Sequence, residues 1–572
     1  MPILKAPLFL APFAPRGEVS RRRNPMDMAW AVALIATLLL AACTPGGGPS
    51  DGNPGEDPAA GSTDGPDTVT VAYSVDIEGV NELVTQSTAI HTTLYYFALF
   101  LPLFEEHADY QTGPPTMAPR LSESYAFSDD RLTLTIELRQ GVQWSDGVPV
   151  TAEDVRWTWQ AQTSPEVGWP FAEVKQHIRD VEVVAPHTVR FHFEKAYSAQ
   201  LLDVNMGVIL PKHAWQELPF DQWRDNPQWF KDHLVVNGPF TLASHEPNQR
   251  YVLERNPNYF EPGIPKVDRV VFEMVRDPQA QLAMLRSGNA HYVEFVAPGD
   301  AKALEAEEDI YLTSYVPRFF YFVMWNTSRP LFAQKEVRQA LTLAIDRDSI
   351  MEALYHGYAK PSVSPFTSDV WVHNDALEPY PYDPGRAKEM LAAQGFVDSD
   401  GDGVVERDGQ PFRFELVTNS ENNLRRDIVI MIQQQLKRVG IEVEPRFMEF
   451  NALFGPLSEH DFDAVVMALA MDTSLNTDYF FHTRGIDNGY NWGMHSNPEL
   501  DQLIDDIEGY VDLLEAKPLF DRMQEIMHEE QPMTQLYQGI RLGGARKELQ
   551  DVNPNAVNSF FNLRHWRLED EG

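Results

Sequence analysis

The sequence predicts an α/β protein built around more than one core, and three observations carry that expectation. At 572 residues the chain exceeds what one hydrophobic core supports, so two or three domains are expected. Hydrophobic residues make up 43% of it and aromatics 11%, the balance of a globular chain. Stretches with period-two apolar alternation lead into helical stripes and then into further strands, as at 267–276, 279–287 and Tyr292-Val293. That order is the signature of an α/β lobe.

Charge narrows the partners. The 84 acidic and 46 basic side chains give a formal net charge of −38. Nucleic acid is excluded as a partner, because phosphate binding needs a basic surface. Direct electrostatic adhesion to anionic lipid is disfavoured for the same reason. The excess reads as solubility and does not by itself identify a cationic ligand.

The first 42 residues read as a leader. Arg21, Arg22 and Arg23 precede an apolar run from Met28 to Ala42, short for a membrane span and suited to a signal-peptide core. The run ends Leu40-Ala41-Ala42-Cys43, which resembles a bacterial lipobox, in which the cysteine becomes the lipidated first residue. Cys43 is the only cysteine, so no disulfide forms within the chain. Residues 43–67, rich in Gly, Pro, Ser, Thr and Asp, are expected to be a disordered tether. Gly48-Pro49-Ser50-Asp51-Gly52 matches the spacing of a hydrolase nucleophile elbow. That motif needs a strand before the serine and a helix after it, and neither is expected here.

From residue 68 the elements follow in order. Residues 68–74 alternate as a first strand, and 91–104 are apolar enough for a helix. Leu132, Leu134, Ile136 and Leu138 alternate with Thr133, Thr135, Glu137 and Arg139, a strand with one buried face. Thr151 and Asp154 have capping-box spacing for a helix burying Val155 and Trp159. Residues 267–276 form a strand, 279–287 a helix closed by Gly288, and 321–326 a strand. Val337, Leu341, Ala344 and Ile345 make a helical stripe, and 383–391 another helix. Later come strands at 412–417, 441–444 and 462–469, with a helix carrying Ile428, Ile432 and Leu436 between the first two. Asn497 and Pro498 suit the N-cap and first position of a last amphipathic helix carrying Leu500, Leu503, Ile504 and Ile507.

Several stretches are worded more specifically than their elements require. Leu121, Glu123, Ser128, Leu138, Arg139, Gly141, Val142, Trp144, Ser145, Asp146, Gly147, Thr151, Ala152, Asp154 and Val155 fall in one run. Asn237-Gly238-Pro239-Phe240, Arg255-Asn256-Pro257-Asn258-Tyr259-Phe260, the run VRQALTLAIDRDSI at 337–350 and the closing FNLRHW at 561–566 add independent motifs. Together they resemble the bacterial extracellular solute-binding proteins of family 5, the peptide- and nickel-binding proteins of ABC importers, over roughly residues 68–568.

The resemblance implies a periplasmic binding protein-like α/β fold of the three-domain, class II type, with two lobes, a hinge and an extra domain. Lobe I is expected from 68–112, 206–315 and 535–568, the extra domain from 113–205, and lobe II from 316–534. It also implies a monomer in the bacterial cell envelope, periplasmic or otherwise extracytoplasmic and lipid-anchored at Cys43. Such a protein captures oligopeptides by lobe closure and delivers them to a membrane permease. A nickel chelate, a sugar or another small solute stays open as ligand, as does a ligand-presenting sensor role. A secreted hydrolase is disfavoured, since HExxH, CxxC and Walker motifs are missing and the 16 histidines show no zinc spacing. No enzyme activity and no catalytic cofactor are expected.

Candidate ligand contacts follow from the same resemblance. Asp472 falls just after an apolar strand, where peptide-binding relatives carry an aspartate that pairs with the ligand's α-amino group. The flanking residues depart from the family pattern, and an aspartate capping the next turn is the alternative. His482, Tyr490, Asn491 and Trp492 belong to a polar and aromatic stretch that lines the cleft in relatives and serves equally well as core. Trp325 and Asn326 end a strand expected to leave one lobe, and Tyr73 ends the first strand. Asp398, Asp400 and Asp402 occupy alternate positions like calcium ligands of an EF-hand loop. The twelfth position is Gly409 rather than a bidentate Glu, so a calcium site and a polar hairpin both stay open.

Overall fold

The structure is a computed structural model and describes residues 67–85, 93–471, 475 and 477–569. The leader, Cys43, the tether up to residue 66 and Asp472 lie outside the described residues.

The first sheet has seven strands. Its order is Ile310–Tyr315, Arg541–Arg546, Tyr292–Val293, Thr68–Tyr73, Arg269–Met274, Arg250–Arg255 and Phe240–Glu246. Thr68–Tyr73 lies in the middle, parallel to both neighbours, and its Val69 and Val71 are fully buried. Val69 and Val71 share one face, and the alternating Thr68 and Thr70 are half-buried on the other, as the period of two predicts. Helix Pro278–Ser287 packs here and stops where Gly288 turns left-handed, with φ 76°, a conformation that costs a residue without Cβ little. Of the helix expected over 91–104, the described residues form Thr93–Leu99. It ends because the Leu101 N–H turns away to Asn237 Oδ1 at 2.9 Å.

Between the first and second described segments of this sheet the chain builds a four-stranded antiparallel sheet. Its order is Ser122–Phe127, Thr133–Leu138, Thr188–Phe193 and Ile178–Ala185. Leu134, Ile136 and Leu138 form its buried face. Helix Ala152–Thr163 covers it. The Asp154 carboxylate reaches back to the Thr151 N–H at 2.8 Å, the reciprocal half of a capping box with Asp in place of Glu. Trp157 is buried where Trp159 was expected; Trp159 is only half-buried.

The second large sheet has six strands: Ala359–Pro361, Met533–Gly539, Phe319–Trp325, Ala464–Ala470, Arg413–Asn419 and Glu442–Met448. Arg413–Asn419 runs parallel to both of its neighbours. Helix Asn423–Lys437 follows it and buries Ile428, Ile432 and Leu436. Helix Pro498–Glu508 has Pro498 at its start and Asn497 as cap, accepting from the Glu499 and Leu500 N–H groups.

The chain crosses between the two large sheets at 316–318 and at Ile540. The strand Met533–Gly539 pairs with Phe319–Trp325 along the second sheet, so the return crossing falls at Ile540 rather than after 534, the expected end of lobe II. The lobes also touch away from these crossings. The Trp371 N–H donates to the Tyr110 carbonyl at 2.7 Å, and Tyr110, Ala556 and Val557 pack into the second lobe's core. Among the described residues no helix is long and apolar enough to cross a membrane.

Candidate functional site

The two crossings define which edges of the sheets face each other. On the first sheet this edge carries the ends of Thr68–Tyr73 and Ile310–Tyr315 and the start of Arg541–Arg546. On the second it carries the start of Phe319–Trp325 and the ends of Met533–Gly539, Ala464–Ala470 and Arg413–Asn419. Ligands of open α/β sheets bind outside the carboxyl ends of parallel strands. Tyr73 and Asn419 close two such strands.

On the first lobe Tyr73 packs edge-on against Phe272 and Phe560, with ring centroids 6.3 and 6.0 Å away. Burial and then the Glu294 carboxylate, to which its hydroxyl hydrogen-bonds, push that hydroxyl's pKa far up. The Ser559 hydroxyl donates to Glu294 Oε1 at 2.6 Å. Arg541 stands opposite Tyr315 in the strand register, and its guanidinium lies over the Phe295 ring at 5.2 Å. Its side chain reaches solvent while protein surrounds it on other sides. Burial opposes its charge, but Tyr315 and Glu294 together outweigh burial and hold its pKa above the ordinary value.

On the second lobe Tyr321 stacks on Tyr537 at 4.9 Å, and Tyr355 meets Tyr537 edge-on at the same distance. Tyr355 lies over Gly539, where a Cβ would come 2.5 Å from a ring carbon. Glycine at this position lets the ring lie directly on the strand beside the crossing.

Behind the tyrosines is Arg425, 9% exposed. One terminal nitrogen donates to Asn419 Oδ1 at 2.9 Å, and its Nε is buried without a hydrogen-bond partner. Among the described residues no carboxylate comes within ion-pair distance of Arg425. Burial pulls its guanidinium below the ordinary value, opposed by Tyr321, Tyr537 and Tyr355, yet an arginine stays charged in a protein. Arg425 also stands in the first turn of helix Asn423–Lys437, where the helix dipole disfavours a cation. A buried cation without a counter-charge is costly, and an anion arriving at this edge would relieve that cost.

The structure separates the candidates named from sequence. Tyr73 lies on the facing edge. Trp325 and Asn326 do not: they end the strand at its far edge, since the chain enters the second lobe at Phe319 and runs away from the crossing. Trp325 is fully buried and its indole N–H donates to Thr534 Oγ1 at 3.1 Å. The Asn326 amide donates to the carbonyls of His460 and Phe462 and accepts from Ser328. Asn491 and Trp492 lie on the same side as Trp325 and Asn326. The Asn491 amide ties the carbonyls of His482 and His495 together. The Trp492 carbonyl meets His460 beside the Gly493 carbonyl, which accepts from Thr327. His482 takes the Arg484 N–H on Nδ1 at 2.9 Å and lies 3.5 Å from Asp501 and 3.6 Å from Asp505. Tyr490 stacks on Phe480 at 5.5 Å and lies 5.9 Å from Tyr479, which is within electrostatic reach of Glu173 in the inserted segment.

Arg425 and Arg541 were missed. The available signals were a cation in a helix's first turn and a cation just past a glycine that ends a strand.

In the acidic hairpin, carboxylate oxygens of Asp398, Asp400 and Glu406 lie within 4.8 Å of one another. Asp402 is not part of that group; its side chain accepts the Val404 N–H. Asp398 accepts from the Gly401 and Gly403 N–H groups, and Asp400 from the Asp402 N–H. These bonds are those of a self-capped turn.

Two α/β lobes joined by two crossing segments, with polar and aromatic side chains on the facing edges and an extra β-sheet domain on the first lobe, define a solute-binding protein. The comparisons agree. Residues 116–492 match the model of the bacterial extracellular solute-binding proteins, family 5 Middle, and the chain belongs to this family. The oligopeptide-binding protein AppA of Bacillus subtilis is 28% identical over 561 residues, covering 96% of this chain and 99% of its own. Its structure in complex with a nonapeptide superposes with a TM-score of 0.71 at 27% identity, over 88% of this chain and 100% of that one. NikZ of Campylobacter jejuni, in complex with Ni(L-His), shares the fold with a TM-score of 0.71 at 21% identity, over 88% of this chain and 100% of its own. AppA is named as a binding protein, not an enzyme.

Proposed function

We propose that this chain is the lipid-anchored substrate-binding subunit of an ABC importer, and that it captures oligopeptides between its lobes and passes them to a permease. The observation that carries the reading is Arg425, a nine-tenths buried guanidinium on the facing edge with no carboxylate partner among the described residues. A peptide's terminal carboxylate is an anion of the right geometry for a guanidinium. The relative crystallised with a nonapeptide supports a peptide over other solutes.

No bond is made or broken in this function. The lobes close by rotation about 316–318 and Ile540, water leaves the facing edges, and buried polar groups acquire ligand partners. Asp472, the second residue after the strand Ala464–Ala470, is proposed to take the peptide's amine. The carboxylate then goes to Arg425, and aromatic groups such as Tyr321 cover the chain between them. Anchoring is proposed at Cys43, the only cysteine, where several acyl chains hold a bacterial lipoprotein firmly to the membrane.

Native mass spectrometry of the purified protein tests the ligand: a co-purified mass that fragments as a peptide is expected, and a metal chelate or a sugar would refute the peptide reading. Membrane fractionation of Cys43→Ser tests the anchor, with release into the soluble fraction expected. A variant as membrane-bound as the parent would refute it.

A further inference from the structure

We infer that the excursion 107–116 of the first lobe is a latch that holds the two lobes shut, with the Tyr110 ring as its bolt, and that the unpartnered Tyr110 hydroxyl keeps the latch weak enough to open. The inference rests on the lobe rotation proposed above and concerns what sets its equilibrium.

The base of the excursion belongs to the first lobe. Phe104–Glu106 pairs with Met117–Pro119, the His107 N–H donates to the Thr116 carbonyl at 2.9 Å, and the Glu105 carboxylate is ion-paired with Arg564 at 2.9 Å. The tip is seated in the second lobe. Tyr110 is 4% exposed and belongs to the same apolar cluster as Trp371, Met471 and Leu475. Its carbonyl accepts the Trp371 N–H at 2.7 Å. The stretch around Trp371 is itself fixed to the second lobe: the Gln524 amide donates to the Val372 carbonyl at 2.7 Å, and the Ser368 N–H donates to Gln538 Oε1 at 3.2 Å. With base and socket both held, a rotation that parts the lobes draws the ring out of the socket.

Arg318, in the crossing 316–318, touches both the latch and the binding edge. Its guanidinium lies 5.2 Å from the centre of the Tyr110 ring and 3.5 Å from the Glu106 carboxylate. Its carbonyl accepts the Met471 N–H at 3.1 Å, and Met471 is the residue before Asp472. A hinge residue therefore holds the bolt with its side chain and the end of a facing-edge strand with its backbone.

The bolt carries its own opposing force. The Tyr110 hydroxyl is buried without a hydrogen-bond partner among the described residues. Burial pushes its pKa up to about 12, against the pull of the Arg318 cation. The ring gains from the second lobe's core, whereas a buried hydroxyl without a partner loses its water. The loss applies to the shut form alone, since opening returns the hydroxyl to solvent. A latch weakened in this way leaves both forms populated, and a ligand that binds between the lobes can then shift them.

Hydrogen exchange of the Trp371 amide in the unliganded full chain tests this, together with small-angle scattering of the same samples. In the parent that amide should exchange faster than the amides inside the strand Arg413–Asn419, because latch opening releases it without unfolding the lobe. In Tyr110→Phe it should exchange about tenfold more slowly, as one unsatisfied hydroxyl is removed from the shut form. In Tyr110→Ala it should exchange about a hundredfold faster, as the buried ring is lost, and the radius of gyration should rise above the parent's. Exchange in Tyr110→Phe as fast as in the parent would overturn the role of the hydroxyl. An unchanged radius of gyration in Tyr110→Ala would make Tyr110 a plug of the core and overturn the latch. Parent exchange at Trp371 no faster than inside Arg413–Asn419 would mean that the lobes do not part there, and the lobe rotation would fail with the inference. No ligand enters the experiment, so a failed latch leaves the peptide reading standing. If Tyr110→Ala folds poorly, the comparison of Tyr110→Phe with the parent decides.

Discussion

The two edges of the second lobe's sheet differ in how their polar groups are satisfied. At the far edge Asn326, Asn491 and Trp325 are buried, and each polar side chain is spent on a carbonyl or hydroxyl of the same lobe. At the facing edge Arg425 keeps a buried Nε without a partner, and no described carboxylate neutralises it. Buried polar groups in a fold are normally paired. The exception at Arg425 lies on the edge facing the other lobe, where the proposed ligand carboxylate would supply the missing partner. The aromatic and amide residues at the far edge are paired within their own lobe, although their side-chain types are those of a binding site.

The comparison breaks most visibly through Asn326. Asn326→Leu removes an amide that serves His460, Phe462 and Ser328, at about 1–3 kcal/mol for each buried group left unsatisfied. A loss of about 3–5 kcal/mol in denaturant unfolding is expected, without a change in ligand affinity once folded. A weaker ligand with unchanged stability would move the site to the far edge.

Acid comes next, through His495 beside Asn491. Burial first, and then Arg338, lower its imidazole to about 4. The unfolded chain therefore binds a proton that the folded chain refuses between about pH 6.5 and pH 4. Stability is fully present above pH 6.5 and falls by about 1.4 kcal/mol per unit as pH drops through that window. His495→Gln should flatten that part of the stability profile. A profile as steep as the parent's would place the acid response elsewhere.

A smaller effect is expected at the facing edge. Gly539→Ala pushes a methyl into the Tyr355 ring, an overpacking that costs about 1–2 kcal/mol. Here, unlike at Asn326, ligand affinity should fall as well, because the displaced ring belongs to the binding edge. Calorimetry showing full affinity would separate Tyr355 from the site.

The smallest effect is expected from calcium. The carboxylates of Asp398, Asp400 and Asp402 already hold backbone N–H groups. Position twelve of the loop is Gly409 and supplies no bidentate ligand. Millimolar calcium should shift the melting temperature by less than about 1 °C, within the scale at which 1 kcal/mol moves Tm by a few degrees. A larger upward shift would make the hairpin a structural calcium site.

Much of the fold was legible in the sequence because its signals are local. Leu134, Ile136 and Leu138 announce a one-faced strand, Gly288 a helix stop, and Asn497-Pro498 a helix start. The site was less legible because its defining features are not local. Nothing in the run around Trp325 and Asn326 says which end of the strand points at the other lobe; that is fixed by where the chain crosses, at 316–318. Nor does the sequence around Arg425 reveal that no described carboxylate will lie within ion-pair distance of it, since the neighbours that could supply one come from strands far along the chain. The return crossing was placed too early for a related reason. Met533–Gly539 is buried throughout and fits either sheet until its pairing with Phe319–Trp325 is known.

The facing edge is proposed to bind the ligand's carboxylate through Arg425, and one calorimetric cycle tests it. The parent protein and Arg425→Gln are each titrated with a peptide bearing a free C-terminus and with the same peptide amidated. Removing one partner of a desolvated charge pair costs roughly 2–5 kcal/mol, so either change alone should weaken binding about thirtyfold or more. The two together should be little worse than one, because the interaction is already gone. The unliganded Arg425→Gln protein should be as stable as the parent or more so, since a buried cation that no described carboxylate neutralises has been removed. If amidation and substitution instead weaken binding by independent, multiplying factors, Arg425 does not hold the carboxylate.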